Sequence, residues 1–249
     1  MVWFTVKLAD VSVGISALHE NTRKAYREYL TEEPPLFRLN VTKQALIEER
    51  ESLISYMTQY TQADALSISE AALEEQWLYH QIGERIPEYG ALLFHGSAVA
   101  VEGEAYIFTA PSGTGKSTHA HIWRKIFGDR AVMINDDKPL LKFADNTVMV
   151  CGSPWRGKHR IGTNAVAPLK GICLLTRDIC NSIVSITGKE AFPELLKQCY
   201  RPKDFRRTAQ TLTLLGQLTQ NVPIYRLRCN MTPEAAKVAY TGMNGGIDI

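Results

Sequence analysis

The feature that most constrains the fold of this chain is a run of small residues, Ala-Pro-Ser-Gly-Thr-Gly-Lys-Ser-Thr, at positions 110–118. It follows a mostly apolar run at 105–109 and leads into a helical pattern that continues to Phe127. Small residues let consecutive backbone N–H groups turn toward one point, and a helix that begins there adds the positive end of its dipole. With Lys116 and Ser117 at the end of the run, this strand–loop–helix pattern predicts a loop that binds phosphate groups.

The residues expected to contact phosphate are Ser112, Gly113, Thr114, Gly115, Lys116, Ser117 and Thr118. In such loops the lysine reaches the β- and γ-phosphates and the following hydroxyl holds Mg²⁺. The usual Walker A pattern begins with glycine, whereas Ala110 stands there in this chain. Because alanine does not readily adopt a positive φ, the loop must begin in a right-handed or extended conformation. The alternative is a Gly/Ser turn with an incidental surface lysine.

The composition fits a globular protein with one large domain, or with a catalytic domain and a smaller appendage. Of the 249 residues, 45% are hydrophobic and 22% are charged, which is enough for a packed core and gives no mark of disorder. The expected division is an N-terminal α+β module at 1–86, a catalytic domain at 87–243 and a flexible tail at 244–249. A net charge of +2 gives no electrostatic argument for nucleic acid or an anionic membrane as partner.

The sequence also predicts a cytoplasmic location. No apolar run approaches the ~20 residues of a membrane span. The N-terminal residues lack the basic, apolar and small-residue regions of a signal peptide. The five cysteines are odd in number and share no C-x-x-C spacing, which is typical of a reducing compartment.

Periodicity assigns the secondary structure. In the N-terminal third it predicts strands at 2–8 and 36–41, helices at 17–30 and about 69–82, and a helix capped by Thr42. This third contains no catalytic constellation, so we interpret it as a structural or substrate-selecting module. After Gly90, a β-rich run at 91–101 and a strand at 104–109 predict a hairpin that leads into the loop. Runs at 138–143 and 147–150 predict a further hairpin around Asp145 and Asn146.

An acidic pair, Asp136 and Asp137, follows an apolar strand at 131–135, twenty residues after Lys116. One carboxylate can hold Mg²⁺, and the other, its pKa raised by a like-charged neighbour, can take a proton from an acceptor hydroxyl. Side chains alternate along an extended chain, so the two should differ in role. A solvated turn is the alternative, which the apolar strand leading into the pair disfavours.

Three segments resemble, in the same order, motifs of the HPr kinase catalytic domain: His-Gly-Ser-Ala-Val-Ala-Val-Glu-Gly at 95–103, Ser-Gly-Thr-Gly-Lys-Ser at 112–117 and Asn-Asp-Asp at 135–137. The loop is also similar to the nucleotide loop of ATP-dependent phosphoenolpyruvate carboxykinase. The resemblance covers roughly residues 90 to 150, extends more loosely to about 240, and leaves out the N-terminal 85. It implies an α/β fold of the HPr-kinase/phosphoenolpyruvate-carboxykinase type.

The resemblance also implies roles for individual residues. Lys116 would bind the β- and γ-phosphates, Ser117 would ligate Mg²⁺, Asp136 would be the base on the acceptor hydroxyl and Asp137 would lie beside the metal. The roles of Asp136 and Asp137 could be exchanged. His95 would sit behind the acidic pair, holding a carboxylate or sensing the phosphate, although a histidine after Leu-Leu-Phe would by itself be read as a core residue.

Two departures limit what the family implies about the substrate. We find no segment like the one by which HPr kinases engage HPr. The chain is also too short for a carboxykinase, and the manganese-binding Lys and His of that family have no counterpart that we can place. The chain therefore resembles small HPr-kinase-like proteins that phosphorylate a serine hydroxyl, either on a peptide, as in some lasso-peptide tailoring pathways, or as the free amino acid.

The expected protein is thus a kinase that uses ATP and Mg²⁺. Its acceptor would be a serine-bearing peptide or protein, or free serine. Homo-oligomers are expected by analogy to the hexameric HPr kinases. A nucleotide-binding regulator or sensor with little turnover is the alternative.

A basic segment at 155–160 is the best candidate for neutralising charge in the transition state or for binding the acceptor, through Arg156 and Lys158. A solvated basic turn is the alternative. Arg177, at the end of a predicted strand, is a second-rank candidate that reads as a surface or salt-bridge residue. Trp123 and Phe127, four residues apart on the loop helix, are predicted to be core residues.

Overall fold

The structure, a computed structural model, describes residues 1–57 and 67–246. It divides the chain into two units, Met1–Arg85 and Ile86–Ile249. The described part of the tail, 244–246, is a turn after the last helix, and residues 247–249 of the predicted tail lie outside the described residues. No described helix combines the length and the apolar character that a membrane span requires.

The first unit is a three-stranded sheet covered by helices. Strands β1 and β2 pair in antiparallel fashion and β3 lies parallel to β2. The elements are β1 (Val2–Leu8), β2 (Val11–Ala17), α1 (Glu20–Ala25), β3 (Phe37–Asn40), α2 (Lys43–Met57) and α3 (Glu70–Arg85). The Thr42 hydroxyl accepts the Ala45 N–H at 3.1 Å, which confirms the predicted cap of α2.

The helix predicted over 17–30 is present but shorter. Residues 11–17 form β2, and the helix is limited to Glu20–Ala25, followed by a 3₁₀ turn at Arg27–Tyr29. The hairpin between β1 and β2 turns at Ala9 and Asp10, which have φ values of 49° and 61°. Because this turn contains no glycine, the sequence did not reveal it, and strand β2 is absent from the prediction.

The second unit is a nine-stranded sheet in the order β4-β8-β9-β10-β6-β5-β7, with β12 also against β10 and β11 against β12. Its strands are β4 (Ala91–Leu93), β5 (Ser97–Val101), β6 (Glu104–Thr109), β7 (Ala131–Asn135), β8 (Leu140–Ala144), β9 (Thr147–Cys151), β10 (Val166–Arg177), β11 (Ser182–Ile186) and β12 (Ile224–Cys229). Its helices are α4 (Lys116–Phe127), α5 (Gly188–Leu196), α6 (Phe205–Asn221) and α7 (Pro233–Met243). The α/β class predicted from the sequence is confirmed.

Helices pack in two groups against this sheet. Apolar residues of α5 and α6 share one buried cluster with the sheet, and those of α4 and α7 share another. Trp123 is fully buried in the second cluster and makes tilted ring contacts with Phe127, Tyr106 and Phe108, which confirms its predicted core position. Its indole N–H donates to His119 Nε2 at 3.1 Å, and burial lowers the pKa of His119 to about 4.

Three neighbouring strands, β6, β10 and β12, run parallel. Their carboxyl ends therefore lie at one edge of the sheet, where β6 ends in the small-residue loop, β10 at Arg177 and β12 at Cys229. Ligands of open α/β sheets bind outside this edge of parallel strands. The topology thus places the predicted phosphate loop where a binding site is expected.

The predicted β-run over 91–101 is interrupted at Phe94–Gly96, and its two halves pair with different strands. In the interruption, the N–H of Phe94 donates to Pro139 O, that of His95 to Gln198 O and that of Gly96 to Asp137 O. Since these backbone groups bond to other segments, they cannot continue one ladder. The break carries His95 from the sheet to the acidic pair.

Candidate active site

Two glycines in the loop after β6 have backbone conformations that other residues rarely adopt. Gly113 and Gly115 have φ values of 79° and 120°, and a Cβ added at either would meet no atom within 4 Å. These glycines are therefore required by the backbone conformation and not by lack of space. Ala110 is buried and is not among the described non-glycine residues with a positive φ. The backbone at the start of the loop therefore has a conformation that a residue with a Cβ readily adopts.

Lys116 points back into this loop. Its ammonium donates to the carbonyl oxygens of Ala110 at 3.0 Å and Pro111 at 3.4 Å, and only 7% of the residue is exposed. Burial lowers the pKa of Lys116, an effect that the charge of Asp137 opposes and that of Lys138 reinforces. A lysine ammonium carries three donor hydrogens, so an arriving phosphate can take the third and compete for the others.

The end of β7 is tied to the loop helix. The carbonyl oxygen of Asp136 accepts the Ser117 hydroxyl at 3.3 Å and the buried Ser97 hydroxyl at 2.9 Å. The first turn of α4 and the acidic pair are therefore in direct contact. The structure brings together the two motifs that are twenty residues apart in the sequence.

The carboxylate of Asp136 is buried, and one of its two oxygens has a hydrogen-bond partner among the described residues. Its Oδ1 accepts the Gly157 N–H at 2.7 Å, while Oδ2 is buried without a hydrogen-bond partner among the described residues. Burial raises the pKa of Asp136, the Gly157 N–H opposes that shift, and the negative charge of Asp137 adds to it. A buried oxygen without a partner is unfavourable unless a proton, cation or hydroxyl reaches it.

The pKa of Asp137 is shifted in the opposite direction to that of Asp136. Burial opposes its ionisation, but the hydrogen bond from His95 and the charges of Lys138, His95 and Lys116 outweigh burial and lower the pKa of Asp137. Its Oδ1 lies 3.4 Å from His95 Nε2 and 3.9 Å from Lys138 Nζ. Two adjacent carboxylates with oppositely shifted pKa values are suited to different roles.

His95 is held on three sides. Its Nδ1 lies 2.8 Å from Gln198 Oε1, its Nε2 faces Asp137, and its carbonyl oxygen accepts the Thr109 hydroxyl at 2.8 Å. The imidazolium form donates to both facing oxygens. His95 thus connects the last residue of β6 to the acidic pair. Sequence reasoning missed Gln198, which carries no local signal.

Asn135 orients the backbone of the acidic pair. Its side-chain oxygen accepts the N–H groups of Asp137 at 2.8 Å and Lys138 at 2.7 Å, and its side-chain amide donates to the carbonyl and hydroxyl of Ser153. Both Asn135 and Ser153 are fully buried. Asn135 forms an Asx turn, a local motif that a polar residue at the end of an apolar strand could have suggested.

The basic segment contributes its backbone to the site. Gly157 donates to Asp136, and a Cβ added to it would lie 3.1 Å from Asp137 Cβ and 3.3 Å from Asp136 Oδ2. Arg156 is half-buried and Lys158 is exposed. The structure therefore brings the middle of the predicted segment to the acidic pair, and the role of its cationic side chains remains a prediction.

Gly157→Ala should lower turnover about tenfold or more, because a methyl group at these distances displaces the acidic pair and small misplacements of reacting groups are costly. Gly216→Ala in α6 is the matched control, since its added Cβ meets nothing within 4 Å. It should raise the free energy of unfolding by about 0.5–1 kcal/mol, because alanine loses less backbone entropy on folding than glycine does. Steady-state kinetics and thermal melts measure both, and unchanged turnover of Gly157→Ala would show that the contact is not functional.

Arg177 is exposed, as its interpretation as a surface residue predicts, and it also contacts the loop after β6. Its Nε donates to Thr114 O at 3.0 Å and its Nη2 to Gly113 O. The guanidinium therefore holds the backbone of the predicted phosphate loop, a contact that the sequence did not indicate. The parallel pairing of β10 with β6 brings it there, and no local pattern could have indicated that pairing.

Comparisons with known proteins find likeness among solved structures. No known protein family and no curated protein matches the sequence. Among solved structures, the HPr(Ser) kinase/phosphatase from Coxiella burnetii is similar over 61% of this chain and 93% of that chain, with a TM-score of 0.34 and 10% identity. Functional assignment therefore rests on the geometry of the site.

Proposed function

We propose that this protein is a kinase that transfers the γ-phosphoryl group of ATP to a hydroxyl, namely that of a serine in a peptide or protein or of free serine. The observation that carries the proposal is that the Ser117 hydroxyl, at the end of the predicted phosphate loop, donates to the backbone carbonyl of Asp136, whose carboxylate has a buried oxygen without a partner among the described residues. A phosphate cradle beside a proton acceptor is what phosphoryl transfer to a hydroxyl requires.

The donor would be held by the backbone N–H groups of the loop and by Lys116. Ser117 and Asp137 would hold Mg²⁺, which when bound neutralises charge on the β- and γ-phosphates. Within the described residues no group of three or more His, Cys, Asp or Glu could hold a metal ion. Mg²⁺ usually takes one or two carboxylates together with phosphate and water oxygens, so a hydroxyl and an acidic pair fit it.

The oppositely shifted pKa values of the two carboxylates support different roles for them. Asp137, whose pKa is lowered, stays ionised and suits the metal, with His95 as a positioning residue behind it. Asp136, whose pKa is raised, is the better proton acceptor. The acceptor oxygen bonds to the γ-phosphorus, its proton moves to Asp136 Oδ2, and the bond from the γ-phosphorus to the bridging oxygen breaks to release ADP.

The activity is tested by incubating the protein with Mg²⁺ and γ-labelled ATP, with free serine and with serine-containing peptides as acceptors. Label in phosphoserine supports the proposal. Tight ATP binding without transfer to any serine-bearing acceptor would favour the regulator or sensor.

Arg156→Ala and Lys158→Ala should each lower turnover more than they lower ATP affinity, because a cation near the transferred group acts on charge that develops in the transition state. Lys125→Ala is a matched control, since Lys125 is exposed on α4. Steady-state kinetics and ATP titrations separate the two effects. A drop in thermal stability with no selective effect on turnover would assign a structural role to the segment.

A further inference from the structure

The segment between α5 and α6 begins at the histidine of the candidate site. The Oε1 of Gln198 lies 2.8 Å from His95 Nδ1, and the Gln198 carbonyl oxygen accepts the His95 N–H at 2.7 Å. The Tyr200 N–H then donates to Leu93 O at 2.9 Å. Phe205 follows Gln198 by seven positions, so the reach of an extended chain places the two within about 25 Å of each other. A bound peptide can therefore contact this segment while one of its residues lies at the acidic pair.

The backbone of this segment is fixed by several contacts. Pro202 is buried, and its carbonyl oxygen accepts the Thr208 hydroxyl at 2.7 Å. The carboxylate of Asp204 caps α6 by accepting the Arg207 N–H at 3.0 Å, and Arg207 Nε donates to Glu88 at 2.6 Å. A surface that is already ordered loses less conformational entropy when a partner binds, so this segment is suited to docking.

The side chains that the segment exposes are three cations and one aromatic ring. We call them the 201–206 surface, which consists of Arg201, Lys203, Phe205 and Arg206. Phe205 is 84% exposed, in the first turn of α6. A single exposed apolar residue is ordinary, but one that lies among cations offers apolar contact and positive charge to the same partner. The acidic residue within the segment, Asp204, is engaged as the helix cap.

A second basic segment also reaches the acidic pair. Gly157 donates to Asp136, and the three residues after it, Lys158, His159 and Arg160, are exposed. The chain as a whole has a net charge of only +2, so two basic segments at one site are a local concentration of positive charge. Charge complementarity favours and orients a partner of the opposite sign. The partner that suits this side of the site is therefore acidic.

We propose that the 201–206 surface docks a peptide or protein acceptor, through acidic residues that pair with Arg201 and Arg206 and one large apolar side chain that packs on Phe205. The inference rests on the proposed function and narrows its acceptor. A serine in an acidic segment, with the docking residues within about seven positions of it, is preferred to free serine. The surface acts on binding of the acceptor and not on the chemical step.

Binding of fluorescent peptides, measured by anisotropy, tests the inference without requiring activity. The acidic peptide has alanine in place of the serine, with glutamate and leucine residues over about ten positions on each side. The matched peptide has glutamine in place of every glutamate. The acidic peptide should bind about tenfold or more tightly, and the difference should shrink as salt is added, because salt screens exposed charges. Equal affinities of the two peptides would overturn the inference.

Variants of the exposed residues locate the binding. Arg201→Glu combined with Arg206→Glu should weaken binding of the acidic peptide by about 5- to 30-fold and leave ATP binding unchanged. Phe205→Ala should weaken it by about 3- to 10-fold. Thermal melts check that these variants are folded. Lys125→Glu combined with Lys237→Glu is the matched control, which reverses two charges at exposed positions of α4 and α7 and should bind the peptide like the wild-type protein. An equal loss in both double variants would show a general effect of net charge and overturn the docking surface.

Kinetics with the serine-containing forms of both peptides separate this inference from the proposed function. In the wild-type protein the acidic peptide should have a KM about tenfold lower than the neutral peptide at a similar kcat, and Arg201→Glu with Arg206→Glu should raise only that KM. Transfer to both peptides and to free serine with the same kcat/KM, unchanged in the double variant, would overturn the docking surface and leave the kinase in place. No transfer to any acceptor would overturn the proposed function, and the acceptor role of the surface with it.

A second copy of this chain is the other occupant that the measurements distinguish. Analytical ultracentrifugation of wild-type protein and of Phe205→Ala compares their masses in solution. The same mass for both, together with weaker peptide binding by the variant, supports acceptor docking. A lower mass for Phe205→Ala with unchanged peptide affinity would make the 201–206 surface an interface between copies and overturn the inference.

Discussion

Asp136→Asn is expected to lower turnover by about 10²–10⁴-fold, the usual contribution of a general base, while ATP binding stays nearly intact. The amide has the same shape as the carboxylate, and its oxygen can still accept the Gly157 N–H. It cannot, however, accept the proton of the acceptor hydroxyl. Single-turnover transfer of labelled phosphate measures the rate of the chemical step, ATP titration measures ATP affinity, and a thermal melt measures the stability of the variant.

The control for this substitution is Asp129→Asn, the same chemical change at an exposed position after α4, which should leave turnover unchanged. Full activity of Asp136→Asn would show that Asp136 is not the base. If Asp137→Asn then abolished transfer without weakening Mg²⁺-dependent ATP binding, the two carboxylates would have exchanged roles.

Lys116→Ala should weaken ATP binding severely. Each hydrogen bond to a charged group contributes about 1.5–3 kcal/mol, so loss of one such bond to phosphate corresponds to about 10–150-fold in affinity. The expected effect is larger where the ammonium contacts two phosphates. Calorimetric titration measures it, and a thermal melt confirms that the variant is folded.

Lys125→Ala removes the same charge from an exposed position of the same helix and should bind ATP like the wild-type protein. ATP affinity that is the same in Lys116→Ala and in wild-type protein would remove the basis for a phosphate site. In that case the bonds from Lys116 to Ala110 and Pro111 would be a structural feature of the loop.

Hairpins with strong turn residues were predicted correctly, because their pairing is local. The turn at Glu102 and Gly103 has φ values of 54° and 86° and joins β5 to β6. The predicted hairpin around Asp145 likewise joins β8 to β9. The β1–β2 hairpin was missed because its turn, at Ala9 and Asp10, contains no glycine.

Several contacts of the candidate site could not be predicted in this way, because the two partners are distant in the chain. Gln198 and His95 are 103 positions apart, Arg177 and Thr114 are 63 apart, and Gly157 and Asp136 are 21 apart. Each contact depends on which strands pair and in which direction. No local pattern in the sequence indicates which strands pair or in which direction.

What the amino-acid sequence determined by itself is the local conformation: glycines that permit positive φ at 113 and 115, a helix that starts at Lys116, and an apolar strand that ends in two aspartates. Dihedral preferences and alternation act over a few residues, so they can be read from neighbours. What only the tertiary structure decided is which aspartate has a buried carboxylate oxygen without a partner among the described residues and which is held by a histidine. Burial and electrostatic fields are sums over atoms brought together from the whole fold, and they set the two pKa values in opposite directions.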